Sequence, residues 1–240
     1  MKQVIIGIAG QKNSGKDTVA SMINYIATVG CAAANYQEWM IRKAAYDIKT
    51  RDKIIHFADS LKDCLSIIYD IPRRYFDNRK YKDERFYVFD ERRFISYEDY
   101  QRDTRYHLIE ISDLDRDSLS YIINNTKLSC IIQLRTLMQY FGTLCREELS
   151  DTIWVDSTMR KAHYITVDKG YCIIPDVRHK IEVDAIMKSS LYGGVIVIIR
   201  DNLKPEHSSE NIDFEGSNVI INDSTLMKLF YRVLNFMQNL

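Results

Sequence analysis

Residues 10–18 read Gly-Gln-Lys-Asn-Ser-Gly-Lys-Asp-Thr. Gly10, Gly15 and Lys16 have the Gly-x-x-x-x-Gly-Lys spacing of a phosphate-binding loop. Glycines let successive backbone N–H groups converge on an anion, and the Lys16 ammonium adds a full charge. The N–H groups running from Asn13 through Ser14 and Gly15 to Thr18 are the candidate cradle. One letter departs from the usual pattern. Where most such loops place Ser or Thr to hold Mg²⁺, this chain has Asp17, with Thr18 one residue later.

Two further groups of residues could do chemistry. In the segment 131–148, read as a helix, Arg135, Gln139, Gly142 and Arg146 fall on one stripe at i, i+4, i+7 and i+11. Leu134, Leu137, Met138, Phe141, Leu144 and Cys145 fall on the other side. An arginine fork suits a phosphate because it bonds two oxygens at once, and a glycine leaves room for a ligand. The same pattern also describes an ordinary amphipathic helix with solvated arginines. Asp176-Val177-Arg178 follows an apolar run, where an acid near a phosphate loop orients Mg²⁺ and an arginine neutralises a transferring group. Asp176 could equally cap the helix expected at 179–189. Trp154, beside the arginine stripe, could stack on a base or fill a core. The polar loop 200–214, with Lys204 and His207, reads as a lid that excludes water.

These residues need a scaffold. Strand-like runs occur at 3–9, 53–57, 171–175, 194–199 and 219–221, most of them continuously apolar, as in a parallel sheet buried on both faces. Helical segments alternate with them, giving repeated β-α-β units. Ligands bind such sheets at the carboxyl ends of the strands, so the loop, Asp176 and Arg200 are expected on one edge. Residues 70–117 differ, with 11 Lys/Arg, 13 Asp/Glu and ten Phe/Tyr in 48 residues. The aromatics argue against disorder, so the expectation is an ordered, charged, mostly helical insertion on the substrate side.

The 240 residues carry 33 basic and 33 acidic side chains. A neutral chain has no global field for a nucleic-acid polymer. Five scattered cysteines read as reduced thiols in a cytoplasmic setting. The beginning of the chain reads as a core strand rather than a signal peptide, and no apolar run is long enough to cross a membrane.

In order and spacing these motifs resemble the deoxynucleoside monophosphate kinases of bacteriophages and other viruses, within the P-loop nucleoside-monophosphate kinase group. The similarity rests on Ser14-Gly15-Lys16-Asp17-Thr18, Phe57-Ala58-Asp59 with Lys62, and Arg135 with Gln139, Phe141, Gly142, Thr143 and Trp154. It continues through Asp176-Val177-Arg178 with Glu182, His207-Ser208-Ser209-Glu210 and Ile221-Asn222-Asp223.

The resemblance implies a single α/β domain over 1–240, a P-loop kinase three-layer sandwich with a mainly five-stranded parallel sheet. It also implies transfer of the ATP γ-phosphoryl to a deoxynucleoside monophosphate in the cytoplasm, that of the host for a virus. ATP would sit on Gly10, Asn13, Ser14, Gly15, Lys16 and Thr18, with Lys204. Asp17 and Asp176 would hold Mg²⁺, and Lys16, Asp17, Arg135, Asp176 and Arg178 would act in catalysis. Lys62, Gln139, Gly142, Thr143, Trp154 and Glu182 would bind the acceptor. A kinase of dephospho-coenzyme A or phosphomevalonate, or a non-catalytic nucleotide-binding module, is the alternative, and a homodimer stays open.

Overall fold

A computed structural model of the chain describes residues 3–11, 13–49, 51–189, 192–199 and 218–240. Lys204, His207 and the lid expected at 200–214 lie outside the described residues. In chain order the first elements are β1 (Val4–Gly10), α1 (Lys16–Val29), α2 (Tyr36–Lys49), α3 (Asp59–Tyr69), α4 (Arg74–Asp77) and α5 (Arg79–Asp83). Next come β2 (Phe86–Val88), β3 (Arg93–Ile95), α6 (Tyr97–Arg102), β4 (Tyr106–Leu108), α7 (Ile111–Leu114), α8 (Leu119–Asn125) and β5 (Ser129–Gln133). The chain continues through α9 (Leu134–Glu148), α10 (Ile153–Lys169), β6 (Tyr171–Val177), α11 (Lys180–Met187), β7 (Tyr192–Ile199), β8 (Asn218–Ile221) and α12 (Leu226–Gln238). It divides into two compact units, residues 1–57 with 154–240, and residues 58–153.

The first unit is built on a parallel sheet of order β6-β1-β7-β8. Every residue of β1 is buried, because helices cover both faces. Alternation along β1 feeds two cores. Val4, Ile6 and Ile8 join residues of α1 and α12 on one face, while Ile5 and Ala9 join residues of α10 and α11 on the other. Trp39 belongs to the first core, 1% exposed, with its ring 5.9 Å from that of Phe230. This is the expected three-layer arrangement, with four strands among the described residues rather than five. Residues 53–57 make only a parallel bridge, Ile54 to Ile173, with the Ile55 N–H bonded to the Ile173 carbonyl at 3.0 Å. The ladder stops there because the next amide that could extend it, that of Phe57, is taken by the Asp176 carboxylate.

The second unit adds a small sheet to the expected charged, mostly helical insertion. Residues 70–117 hold four helices of four to six residues and three strands of three residues. The strands pair in the order β3-β2-β5-β4, parallel only between β4 and β5. Its centre, β5, lies outside the charged stretch, so the unit is wider than 70–117. Phe86, Val88, Ile95, Tyr106 and Ile131 form its sheet core, and α9 packs on α3, α5 and α7. Residues 131–133 belong to β5, so the helix read across 131–148 begins only at Leu134.

Among the described residues no helix is long and apolar enough to cross a membrane. The five cysteines form no disulfide, and burial pushes the Cys172 thiol up to about 12.

Candidate active site

The phosphate loop follows the end of β1, and its backbone explains its glycines. Gly15 has φ +99°, and a Cβ there would come within 2.8 Å of the Asn222 side-chain nitrogen. A Cβ on Gly10 would meet the Ser14 hydroxyl at 2.5 Å and the Ile198 carbonyl at 2.8 Å. The Ser14 N–H bonds the Gln11 carbonyl at 3.1 Å, closing a turn, and Asn13 takes the left-handed conformation at φ +65°. Helix α1 starts at Lys16 with Gly15, which has no side chain of its own to cap it, at the N-cap. The amides and dipole of a helix start give that terminus a partial positive charge suited to an anion. The Lys16 ammonium donates to the carbonyls of Gly10 at 2.6 Å and Gln11 at 2.7 Å, so it lies folded over the loop. Asp17 is exposed in the first turn and Thr18 is half-buried.

Strand register brings further residues to the same edge. Ala9 pairs with Val177, Gly10 with Ile198, and Ile199 with Ile221. Between Gly7 and Ala9 the partner strand advances from Ile174 to Val177, one residue more than β1. This bulge falls at Pro175-Asp176, where proline has no N–H for the ladder, and it turns Asp176 out of the regular alternation. The Asp176 carboxylate then accepts the Phe57 N–H at 3.2 Å. Arg178 is exposed on the following turn. Glu182, 8% exposed, accepts the N–H groups of Arg178 at 2.6 Å and His179 at 3.0 Å. Burial pushes its carboxyl up to about 7, with the Asp176 charge acting in the same direction against those two bonds. Trp154 is half-buried in the first turn of α10.

Sequence reasoning gave Asn222 no site role, although it stands in one of the family-like motifs. Its side chain donates to the Ser14 carbonyl at 2.8 Å, and its own N–H bonds the Ile199 carbonyl at 2.7 Å. It thus ties the phosphate loop to the end of β8. As for a metal, Asp17 and Asp176 offer hard carboxylate oxygens in the same unit. The described residues contain no group of three or more His, Cys, Asp or Glu that could hold one. Such a donor set fits Mg²⁺, which keeps waters and takes one or two carboxylates plus substrate phosphates, and not an all-protein cage.

The remaining candidates belong to the second unit. Arg135, the second residue of α9, donates through Nε and Nη2 to both oxygens of Asp83, at 2.8 and 3.0 Å. The Gln133 side chain bonds the Asp83 carbonyl at 3.2 Å. Lys62 pairs with Asp77 at 2.9 Å, and Arg73 bonds Asp59, Asp63 and Asp77. Burial acts to raise the Asp77 and Asp83 carboxyls, but these cations outweigh it and hold both below the usual carboxylate value. Gln139 and Thr143 line a cavity of about 710 Å³ with Leu114, Asp117 and Ser118. Gly142 is buried, unlike Arg135, Gln139 and Arg146 on its stripe, and Leu144, expected inside, is 37% exposed. Nothing in the sequence singled out Asp83 or Asp77, which sit among many similar charges.

No curated protein matches the chain. A family model does: it spans residues 4–233, and so takes in the phosphate loop, the Asp176 bulge and the whole second unit. By that match the chain belongs to the deoxynucleotide monophosphate kinase family.

Proposed function

We propose that this deoxynucleotide monophosphate kinase takes ATP, with Mg²⁺, as its donor on the loop at 10–18. Arg135 and Lys62 would bind the acceptor, and Arg178 would neutralise charge on the transferring group. The observation that carries the reading is the carboxyl edge of the first sheet. There a helix start with glycine at its cap, the Lys16 ammonium and the out-turned Asp176 follow neighbouring strands. The ATP phosphates rest on the N–H groups of 13–18, and Lys16 leaves its loop carbonyls to neutralise the β and γ oxygens. Asp17 and Asp176 would hold Mg²⁺, which would supply charge neutralisation.

An acceptor phosphate oxygen forms the new bond to the γ phosphorus as the bond to the β,γ-bridging oxygen breaks, releasing ADP. The attacking oxygen is already anionic, so no strong general base is needed, and the protein's contribution is position and charge. Gln139 and Thr143 take the sugar and base. Glu182, whose carboxylate is engaged by two amides, acts by holding the Arg178 turn in place.

The test is an ADP-release assay across deoxynucleoside and ribonucleoside monophosphates, with and without Mg²⁺. The reading predicts turnover of at least one deoxynucleotide, abolished by chelation. Turnover of ribonucleotides in preference, or of dephospho-coenzyme A or phosphomevalonate alone, would overturn it.

A further inference from the structure

The second unit contains a cation with no assigned purpose. Lys82 is half-buried on α5 and makes no ion pair among the described residues. The charges acting on it are Asp83, Arg135, Lys62 and Asp77, so two other cations stand near it. Burial lowers its pKa first, Arg135 and Lys62 lower it further, and Asp83 and Asp77 oppose this. Both acids are already committed. Asp83 holds the Arg135 fork and Asp77 holds Lys62 and Arg73. Three cations gathered around two engaged carboxylates repel one another, and a bound anion relieves that repulsion.

The geometry also leaves hydrogen-bonding capacity for such an anion. Asp83 uses Nε and one Nη2 proton of Arg135. A guanidinium has five N–H donors, so the Nη1–Nη2 edge can still grip a phosphate with two parallel bonds. Asp83, the residue after Lys82, fixes the direction of that edge.

We propose that Lys82 is a ligand of the acceptor's phosphate, forming with Arg135 and Lys62 a three-cation cradle oriented by Asp83 and Asp77. This rests on the reading of Arg135 as an acceptor clamp. The alternative use of Lys82, as a counter-ion for Asp83 alone, makes different predictions.

The test uses the full chain, the deoxynucleoside monophosphate turned over fastest in the panel above, and the matching deoxynucleoside lacking the phosphate. Lys82→Met should raise the acceptor KM and Kd about tenfold to a hundredfold, the range of one charge-assisted bond. The ATP KM and the affinity for the phosphate-free nucleoside should stay within about twofold of the parent. Lys82→Arg should recover most of the loss. If Lys82→Met lowers the thermal midpoint, Lys82→Gln supplies the same comparison. Unchanged acceptor binding, or equal weakening of nucleotide and nucleoside, overturns the proposal. Arg135→Ala, run in parallel, separates the two levels of inference. Weakening by Arg135→Ala but not by Lys82→Met sinks the Lys82 assignment alone, whereas no effect of either sinks the clamp reading with it.

Discussion

Glu182 gives a prediction whose sign and size both follow from its surroundings. Its carboxylate accepts two backbone N–H groups, which favour the ionised form, yet burial and the Asp176 charge raise its pKa from 4.5 to about 7. Between those values the folded chain holds a proton that the unfolded chain has lost. Stability from this group is therefore fully present below pH 4.5, falls as pH rises toward 7, and is flat above it. A shift of this size corresponds to roughly 3 kcal/mol. Glu182→Gln keeps an oxygen for both amides and does not titrate. The variant should match the parent near pH 4.5 and exceed its stability by up to about 3 kcal/mol at pH 8, less the weaker bonding of a neutral acceptor. Urea unfolding followed by circular dichroism, in EDTA without nucleotide, measures the difference from pH 4.5 to 8. Taking the difference removes every other titrating group the two proteins share. A difference that is flat across this range, or that falls with pH, would refute the argument that burial outweighs the two amide bonds.

Lys16→Met should abolish phosphoryl transfer while leaving the thermal midpoint near that of the parent, since the ammonium's bonds to the Gly10 and Gln11 carbonyls stay within the loop; a large drop in midpoint would make the lysine structural. Asn222→Ala removes the bond to the Ser14 carbonyl and should cost about 1 kcal/mol of stability in urea unfolding, with a raised ATP KM and an unchanged acceptor KM. Phe230→Ala opens a cavity beside Trp39 and Tyr25 in the first core and should destabilise by about 3–5 kcal/mol in the same assay.

The first unit was readable because its signals are long and local. A seven-residue buried strand, a glycine loop and an amphipathic helix each announce themselves within one window. The run at 53–57 has strand-like residues, but whether it pairs is decided far away by the Asp176 side chain, which removes the Phe57 amide from the ladder. The small sheet of the second unit escaped the same reading for a related reason. A strand of three residues shows too little alternation to be told from a charged helix turn, and its sheet is centred on β5, beyond the stretch whose composition drew notice. Only tertiary pairing reveals it.

The legibility of the site divides along the same line. Glycines and the lysine of a phosphate loop are legible because the anion they serve dictates their spacing along the chain. Arg135 could be picked out only as one member of a stripe, because its partner, Asp83, lies 52 positions away. Lys82 could not be found at all, since its meaning lies in which acids near it are already taken, and sequence spacing carries no record of that. Composition misleads at such a place: residues 70–117 hold more acids than bases. Yet Asp83 is engaged by Arg135, and Asp77 by Lys62 and Arg73, so the two acids that act on Lys82 are shared with its fellow cations. The anion site proposed for this unit depends on how its charges pair, which a count of its residues does not register.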